Sequence, residues 1–361
     1  MNNYSASWFL GANTPGGFVS LFDSLYEPEN GWRLFIIKGG PGTGKSTLMK
    51  KIAAEADKRG YYCERIYCSS DPNSLDGVII PRLKISVADG TPPHAIEPKY
   101  PGVSETIIDL GTFRDDEKLR KNADDIIMKT QLVSAEHKKC VSFLSAASAI
   151  EGDIRKLVFG ALRSDKLVRF TNRLSQSLFG SVSGSPGKVT PKFLSALTPE
   201  GGVTFYDTFD GICERRIVLD DDFGMPSSMI LNILTENAVS AGYDCVVCPC
   251  PMSPGHKKEH LLIPSLSLGF FTSDKAHPYE ETAEKRVDCK RFFDMDDLRA
   301  FRGRISFDRR AKDEMLDEAV NKLVNAKKLH DELEKYYIDA MDFDRAAAFG
   351  EQLIDTIFIK V

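Results

Sequence analysis

The sequence predicts an α/β chain built from two related units in tandem, and three observations predict it. An internal repeat covers most of the 361 residues. Each copy holds short apolar runs of strand length, one of which leads through a glycine-containing turn into a helix. Each copy ends in a long stretch of helical periodicity. Composition is that of an ordinary folded protein, 42% hydrophobic and 27% charged, and the length allows about two domains.

The first clear strand is Arg33–Ile37, RLFII, an apolar run suited to a buried parallel strand. KGGPGTGKSTLMKKIAAEADKRG follows, Lys38 to Gly60. Within it Gly39, Gly44, Lys45 and Ser46 fit the spacing G-x-x-x-x-G-K-[ST], which arises by chance in roughly one chain in a hundred of this length. Leu48, Ile52 and Ala56 then share one helical face, ending at Gly60.

These residue types suit one chemistry. Glycines let the backbone curl until several N–H groups face a single phosphate. A helix N-terminus adds partial positive charge. The residues Gly39, Gly40, Pro41, Gly42, Thr43, Gly44, Lys45, Ser46 and Thr47 are therefore the candidate nucleotide-binding set. Lys45 is expected to reach the β- and γ-phosphates, and the Ser46 hydroxyl to join Mg²⁺. The loop resembles the Walker A motif of P-loop NTPases. That resemblance implies a doubly wound parallel sheet and ATP or GTP as ligand, and the lack of an NKxD pattern leans towards ATP.

The repeat comes next. FLGANTPGGFVSLFDS (Phe9–Ser24) lies over FLSALTPEGGVTFYDT (Phe193–Thr208). The strand–loop–helix segment from Arg33 lies over the one from Arg215, and Gly42/Gly224, Ser46/Ser228, Gly60/Gly242, Cys63/Cys245 and Cys68/Cys250 coincide. The chain thus divides into residues 1–180 and 192–361, with a Ser-, Gly- and Pro-rich linker at 181–191 that reads as flexible. Helical regions are expected over 115–179 and 296–358. The linker's GSPGK has Val189 where a hydroxyl is needed and is set aside.

The second copy keeps the frame of the loop without its groups. Ser227 stands where the first copy has Lys45, and Asp220, Asp221 and Asp222 stand for Lys38, Gly39 and Gly40. Three carboxylates repel a triphosphate by about 1 kcal/mol per charge pair at 4 Å even in water, so the second unit is expected to be degenerate. Asp222–Gly224, DFG, lacks a kinase catalytic-loop partner and is read as coincidence.

A second acid is needed on the metal, at the end of a neighbouring strand. Asp89 and Asp109 are the candidates. Asp89 is preferred because its counterpart is Thr272, lost from the copy that also lost the lysine. Asp71, in CSSDPNSLDG, is a candidate for positioning water or a substrate hydroxyl, or else an Asp-Pro turn starter. His94 recurs as His277, which favours a structural role, and the A-x-T-P-x-G turns at 12–17 and 196–201 are expected to shape strand ends beside each loop. Cys245, Cys248 and Cys250 are read as buried strand residues, since a fourth ligand at zinc spacing is lacking.

Charge separates the copies. Residues 154–192 hold eight Lys and Arg against one acid, whereas 333–361 hold three against six. The basic stretch is a solvated face, a dock for the acidic copy, or a source of phosphate-binding arginines from Arg155, Arg163, Arg169 and Arg173. With a net charge of −5 the chain is not a general nucleic-acid binder. It has no apolar run near the roughly 18 residues of a membrane span. Eight cysteines and no export signal point to the cytoplasm.

In its full length, duplication included, the chain resembles a family of bacterial proteins described as P-loop ATPases. The expected function is a Mg²⁺-dependent ATPase whose second unit packs against the first as regulatory or structural partner. A small-molecule or nucleotide kinase and a non-hydrolysing ATP-bound scaffold are the alternatives, with an unidentified protein or small molecule as further partner.

Overall fold

The computed structural model describes residues 5–93, 95–180 and 184–359. The first unit runs β1 (Ala6–Phe9), β2 (Gly11–Thr14), β3 (Gly17–Ser20), β4 (Arg33–Lys38), α1 (Lys45–Lys58), β5 (Glu64–Tyr67), β6 (Leu75–Ile80), β7 (Ile85–Asp89), β8 (Glu105–Asp109), α2 (Asp116–Arg120), α3 (Ala123–Phe159) and α4 (Ser164–Leu178). The second runs β9 (Val189–Pro191), β10 (Ser195–Thr198), β11 (Gly201–Thr204), α5 (Tyr206–Ile212), β12 (Arg215–Asp220), α6 (Met225–Ser240), β13 (Cys245–Pro249), β14 (Lys258–Ile263), β15 (Leu268–Ser273), β16 (Lys285–Asp288), α7 (Met295–Ala340) and α8 (Phe343–Ile359).

Each unit forms a six-stranded sheet, and the two orders correspond strand for strand: β1-β5-β6-β7-β4-β8 and β9-β13-β14-β15-β12-β16. The sheets are mixed where a parallel sheet is expected. β6 runs antiparallel to β5 and β7, as β14 does to β13 and β15. Connection length is the reason. Only Pro81–Lys84 separate β6 from β7, too short for a parallel crossover, which takes roughly a dozen residues. Lys84 and Ser267, at equivalent places in these turns, both take left-handed φ, 53° and 47°. The linker differs too: Val189–Pro191 form an edge strand parallel to β13, as β1 does to β5.

Alternation along β4 sends Leu34 and Ile36 to one face and Phe35 and Ile37 to the other. The first face meets the twin sheet. Trp8, Ile36, Ile66 and Ala88 share one core with Val218, Cys248, Leu262 and Phe271. Sheet therefore packs on sheet, with helices outside, where a doubly wound unit carries helices on both faces.

The outer helices exchange. On the first sheet, Leu48, Met49 and Ile52 of α1 pack with Leu353, Ile357 and Phe358 of α8, from the far end of the chain. On the second, Ile230, Leu231 and Leu234 of α6 pack with Leu167 and Leu174 of α4, from the first unit. The α3 and α7 helices cross between the units as an antiparallel pair around Cys140, Leu144, Ala319 and Leu323. Equivalent hydrogen bonds fix both crossings. Asp115 N–H donates to Ala340 O at 2.8 Å, as Asp294 N–H does to Ala161 O at 2.8 Å. Asp342 N–H donates to Phe113 O at 2.9 Å, as Arg163 N–H does to Phe292 O at 2.8 Å. The helical regions thus have the expected extents, but α4 and α8 cover each other's sheets and do not dock together.

Candidate functional site

The Gly39–Ser46 loop joins β4 to α1, and β7 and β8 flank β4 on either side, parallel to it. The two candidate acids end those flanking strands: Asp89 lies level with Ile37 and Asp109 with Lys38. Asp89 turns inward, 9% exposed, with Oδ2 3.6 Å from Lys45 Nζ. Its Oδ1 accepts from the Thr91 N–H at 2.8 Å and hydroxyl at 2.6 Å. Asp109 is exposed and accepts the Gly111 N–H at 2.7 Å, a cap on the following turn.

The Lys45 ammonium folds back on its own loop, donating to Gly40 O at 2.7 Å and Gly39 O at 3.2 Å. The Thr43 hydroxyl donates to Gly40 O at 2.9 Å, while Thr47 is exposed on the first turn of α1. Ser46 Oγ accepts the Leu75 N–H at 3.0 Å, which ties α1 to β6. Ser228 Oγ does the same for the Lys258 N–H at 3.3 Å, so this serine has a structural task in both units. Asp71 closes a turn by accepting the Ser74 hydroxyl at 2.6 Å, and its Oδ1 lies 3.6 Å from Lys327 Nζ of α7.

Two acids at this site escaped the sequence. Asp76, buried on β6, has its pKa raised by burial and by the charge of Asp89, opposed by Cys68 and Lys45. The repeat places it over Glu259, an acid in both copies of a buried strand, and that signal was legible. Glu334 is the other. Gly42 N–H donates to Glu334 Oε1 of α7 at 3.1 Å, across 292 residues of sequence. The loop glycines admit this helix: a Cβ at Gly40 would lie 2.5 Å from the Tyr337 ring, and one at Gly42 2.9 Å from Ile338 Cγ1. Gly42 also takes φ 66°, which favours glycine.

The second loop carries its own carboxylate. Asp221, 2% exposed, accepts Ser227 N–H at 2.8 Å and Phe223 N–H at 3.0 Å, at the start of α6. Burial raises its pKa, opposed by those two amides and by Lys257. Lys257 is buried, and its ammonium lies 2.7 Å from where a Gly224 Cβ would stand. Asp220 pairs with Arg286 at 2.7 Å and Asp222 with Lys290 at 2.9 Å. All three acids of this loop therefore face positive or donor partners.

Beside Lys257 lies a buried polar cluster. Glu259 sits 3.8 Å from both His260 Nε2 and His277 Nε2, and His277 Nδ1 is 3.2 Å from Asp274 Oδ1. His277 thus has a structural setting between two carboxylates, while His94 lies outside the described residues. Both A-x-T-P-x-G segments form β-hairpins with Thr14 and Thr198 accepting and donating at the turn. The Glu200 carboxylate of the second hairpin accepts from Asn73 Nδ2 at 3.3 Å, so this hairpin reaches the first unit's loop region. Cys245, Cys248 and Cys250 are buried, their thiol pKa values raised by burial.

The basic stretch does not reach the first loop. Arg155 pairs with Glu151 at 3.0 Å, Arg163 with Asp294 at 2.5 Å, and Arg173 donates to Arg169 O at 3.3 Å, with α4 lying on the second sheet. Among the described residues no helix is long and apolar enough to cross a membrane. No protein-family model, curated protein or solved structure matches this chain.

Proposed function

We propose that the chain is a Mg²⁺-dependent ATPase in which the first unit binds ATP at Gly39–Ser46 and the second unit is a degenerate partner that governs access. The observation that carries this reading is the Gly42 N–H aimed at a carboxylate oxygen, beside a lysine and an inward aspartate. A loop amide that donates to an oxyanion beside a buried cation is the setting a phosphate needs. Lys45 would turn from Gly39 and Gly40 to the phosphates. Ser46 and Asp89 would hold Mg²⁺, whose role is to neutralise phosphate charge. Asp76, which feels the charges of Asp89, Lys45 and Asp71, is the candidate to orient them or a water, with Asp71 beside it. In the second unit the Asp221 carboxylate accepts the amides of Phe223 and of Ser227, the residue that stands for Lys45, which supports closure of that loop to a triphosphate.

The kinase reading keeps one support. A cavity of about 460 Å³ lies between the β10–β11 turn and α7, lined by Pro199 and Val324 and by Lys327, Lys328 and Lys335 against Asp331 and Glu332, a polar recess of mixed charge where an acceptor could sit. The candidate phosphate-binding arginines do not reach the first loop, Arg155 turning to Glu151 and Arg163 to Asp294, so the ATPase is preferred. Calorimetry with MgATP on the wild type and Lys45→Ala tests the reading, followed by ADP release with and without acceptors. Binding lost in the variant and acceptor-independent turnover are expected. No binding to the wild type or to a variant with an unobstructed loop would end it, and binding without turnover would leave the scaffold.

A further inference from the structure

Both loops direct amide groups at a carboxylate, but the two carboxylates differ in how they are held. In the second unit the acid is Asp221 of the loop itself, buried and bound by two amides. In the first it is Glu334, borne on α7 of the other unit, with a third of its side chain exposed. The residue of α3 equivalent to Glu334 is Arg155, which turns to Glu151 on its own helix. The carboxylate on the first loop is therefore a visitor, and the one on the second is resident.

We propose that the last turns of α7 are an autoinhibitory cover, with the Glu334 carboxylate standing where a nucleotide phosphate would bind. This rests on the nucleotide-binding reading given above. The cover extends beyond the Gly42 amide. Tyr337 lies against Gly40 and Ile338 against Gly42, so the seated α7 lines that side of the loop. Ile338 is 43% exposed, and among the described residues the ion-pair partner of Glu334 is His330, 3.8 Å away, while neighbouring Glu332 pairs with Lys129 of α3 at 2.6 Å. Lys327 bridges Asp331 at 2.9 Å and Asp71 at 3.6 Å and guides α7 onto the first unit. The far end of the segment is tied by the Asp115–Ala340 and Asp342–Phe113 hydrogen bonds, so the helix lifts from a fixed point instead of leaving. Because α7 pairs along its length with α3, which belongs to the other crossing, lifting it reports the state of the first loop to the second unit.

The test is MgATP affinity by calorimetry for the nucleotide-free wild type, Glu334→Gln and Glu334→Ala, each checked for an unchanged melting temperature. A competing charge-assisted hydrogen bond is worth about ten-fold in affinity. Glu334→Ala is expected to bind about ten-fold tighter than wild type and Glu334→Gln to fall between. In the wild type, ATP is expected to raise amide exchange over residues 327–340. Equal or weaker binding by Glu334→Ala overturns the cover while leaving nucleotide binding intact. Failure of wild type and both variants to bind overturns the nucleotide reading and the cover together.

Discussion

Phe9 and Phe193 occupy equivalent places in the two copies, and they pair with each other. Phe9 N–H donates to Phe193 O at 2.9 Å, and Phe193 N–H returns the bond to Phe9 O at 3.0 Å. An equivalent pair that bonds to itself marks a local twofold axis. Cys140 and Leu144 of α3 share one cluster with their equivalents Ala319 and Leu323 of α7. The repeat is thus folded as an internal dimer, with an isologous contact such as two separate chains would make.

Both phenylalanine side chains are fully buried in the cluster that joins the units. Phe9→Ala and Phe193→Ala are each expected to lower unfolding free energy by about 3–5 kcal/mol. The double variant should lose less than the sum, because each truncation opens the same contact. Denaturant unfolding of the four proteins gives this directly, and strict additivity would count against a shared contact.

The helix exchange makes a positional prediction. Ile357, fully buried, belongs to the second half of the chain but packs on the first sheet. Ile357→Ala is expected to cost about 2–5 kcal/mol. Hydrogen exchange should show the loss first in β4 and α1, with α6 and β12 protected longer. Loss centred on the second sheet would contradict the crossing.

Asp221→Asn tests the filled second loop. It keeps the shape but removes a buried charge that faces Lys257 and two amides. Thermal and denaturant unfolding should show a loss of about 1–3 kcal/mol. No gain of MgATP binding is expected in a Lys45→Ala background, because Ser227 cannot supply the missing cation.

The buried histidines titrate in opposite senses. Burial alone would lower His277, but Glu259 and Asp274 outweigh it and hold its pKa above the ordinary 6.5. A raised folded value means its stabilisation is complete below about pH 6.5 and fades as pH climbs through the folded pKa. His260 is pushed down by burial to about 3, so it stays neutral while the unfolded chain protonates, and it costs stability below about pH 6.5. Lys257, also facing the cluster, is charged throughout, its pKa raised by Cys250, Glu259, Glu151 and Asp274 against the effect of burial. His277→Gln should therefore be destabilised relative to wild type more at about pH 6 than at about pH 9. A gap that widens with pH would refute this assignment.

Much of this was written locally. The 3.6 period set the extents of the helical regions, apolar runs located β4, β7 and their twins, and aligning the copies exposed the two-unit plan. Alignment also carries a signal for Asp76, against Glu259, an acid inside a strand and away from the strand ends where metal acids are expected. The direction of β6 was legible as well, in the four-residue turn from Pro81 to Lys84.

What the tertiary structure decided is which partner each surface meets. The apolar faces of α4 and α8 specify burial, and either sheet satisfies that demand; only packing in three dimensions gives α4 to the second sheet and α8 to the first. For the same reason no local pattern could bring Glu334 to Gly42. Periodicity encodes that a face must be covered and by what chemistry, whereas the identity of the cover depends on long-range geometry that adjacent residues do not record.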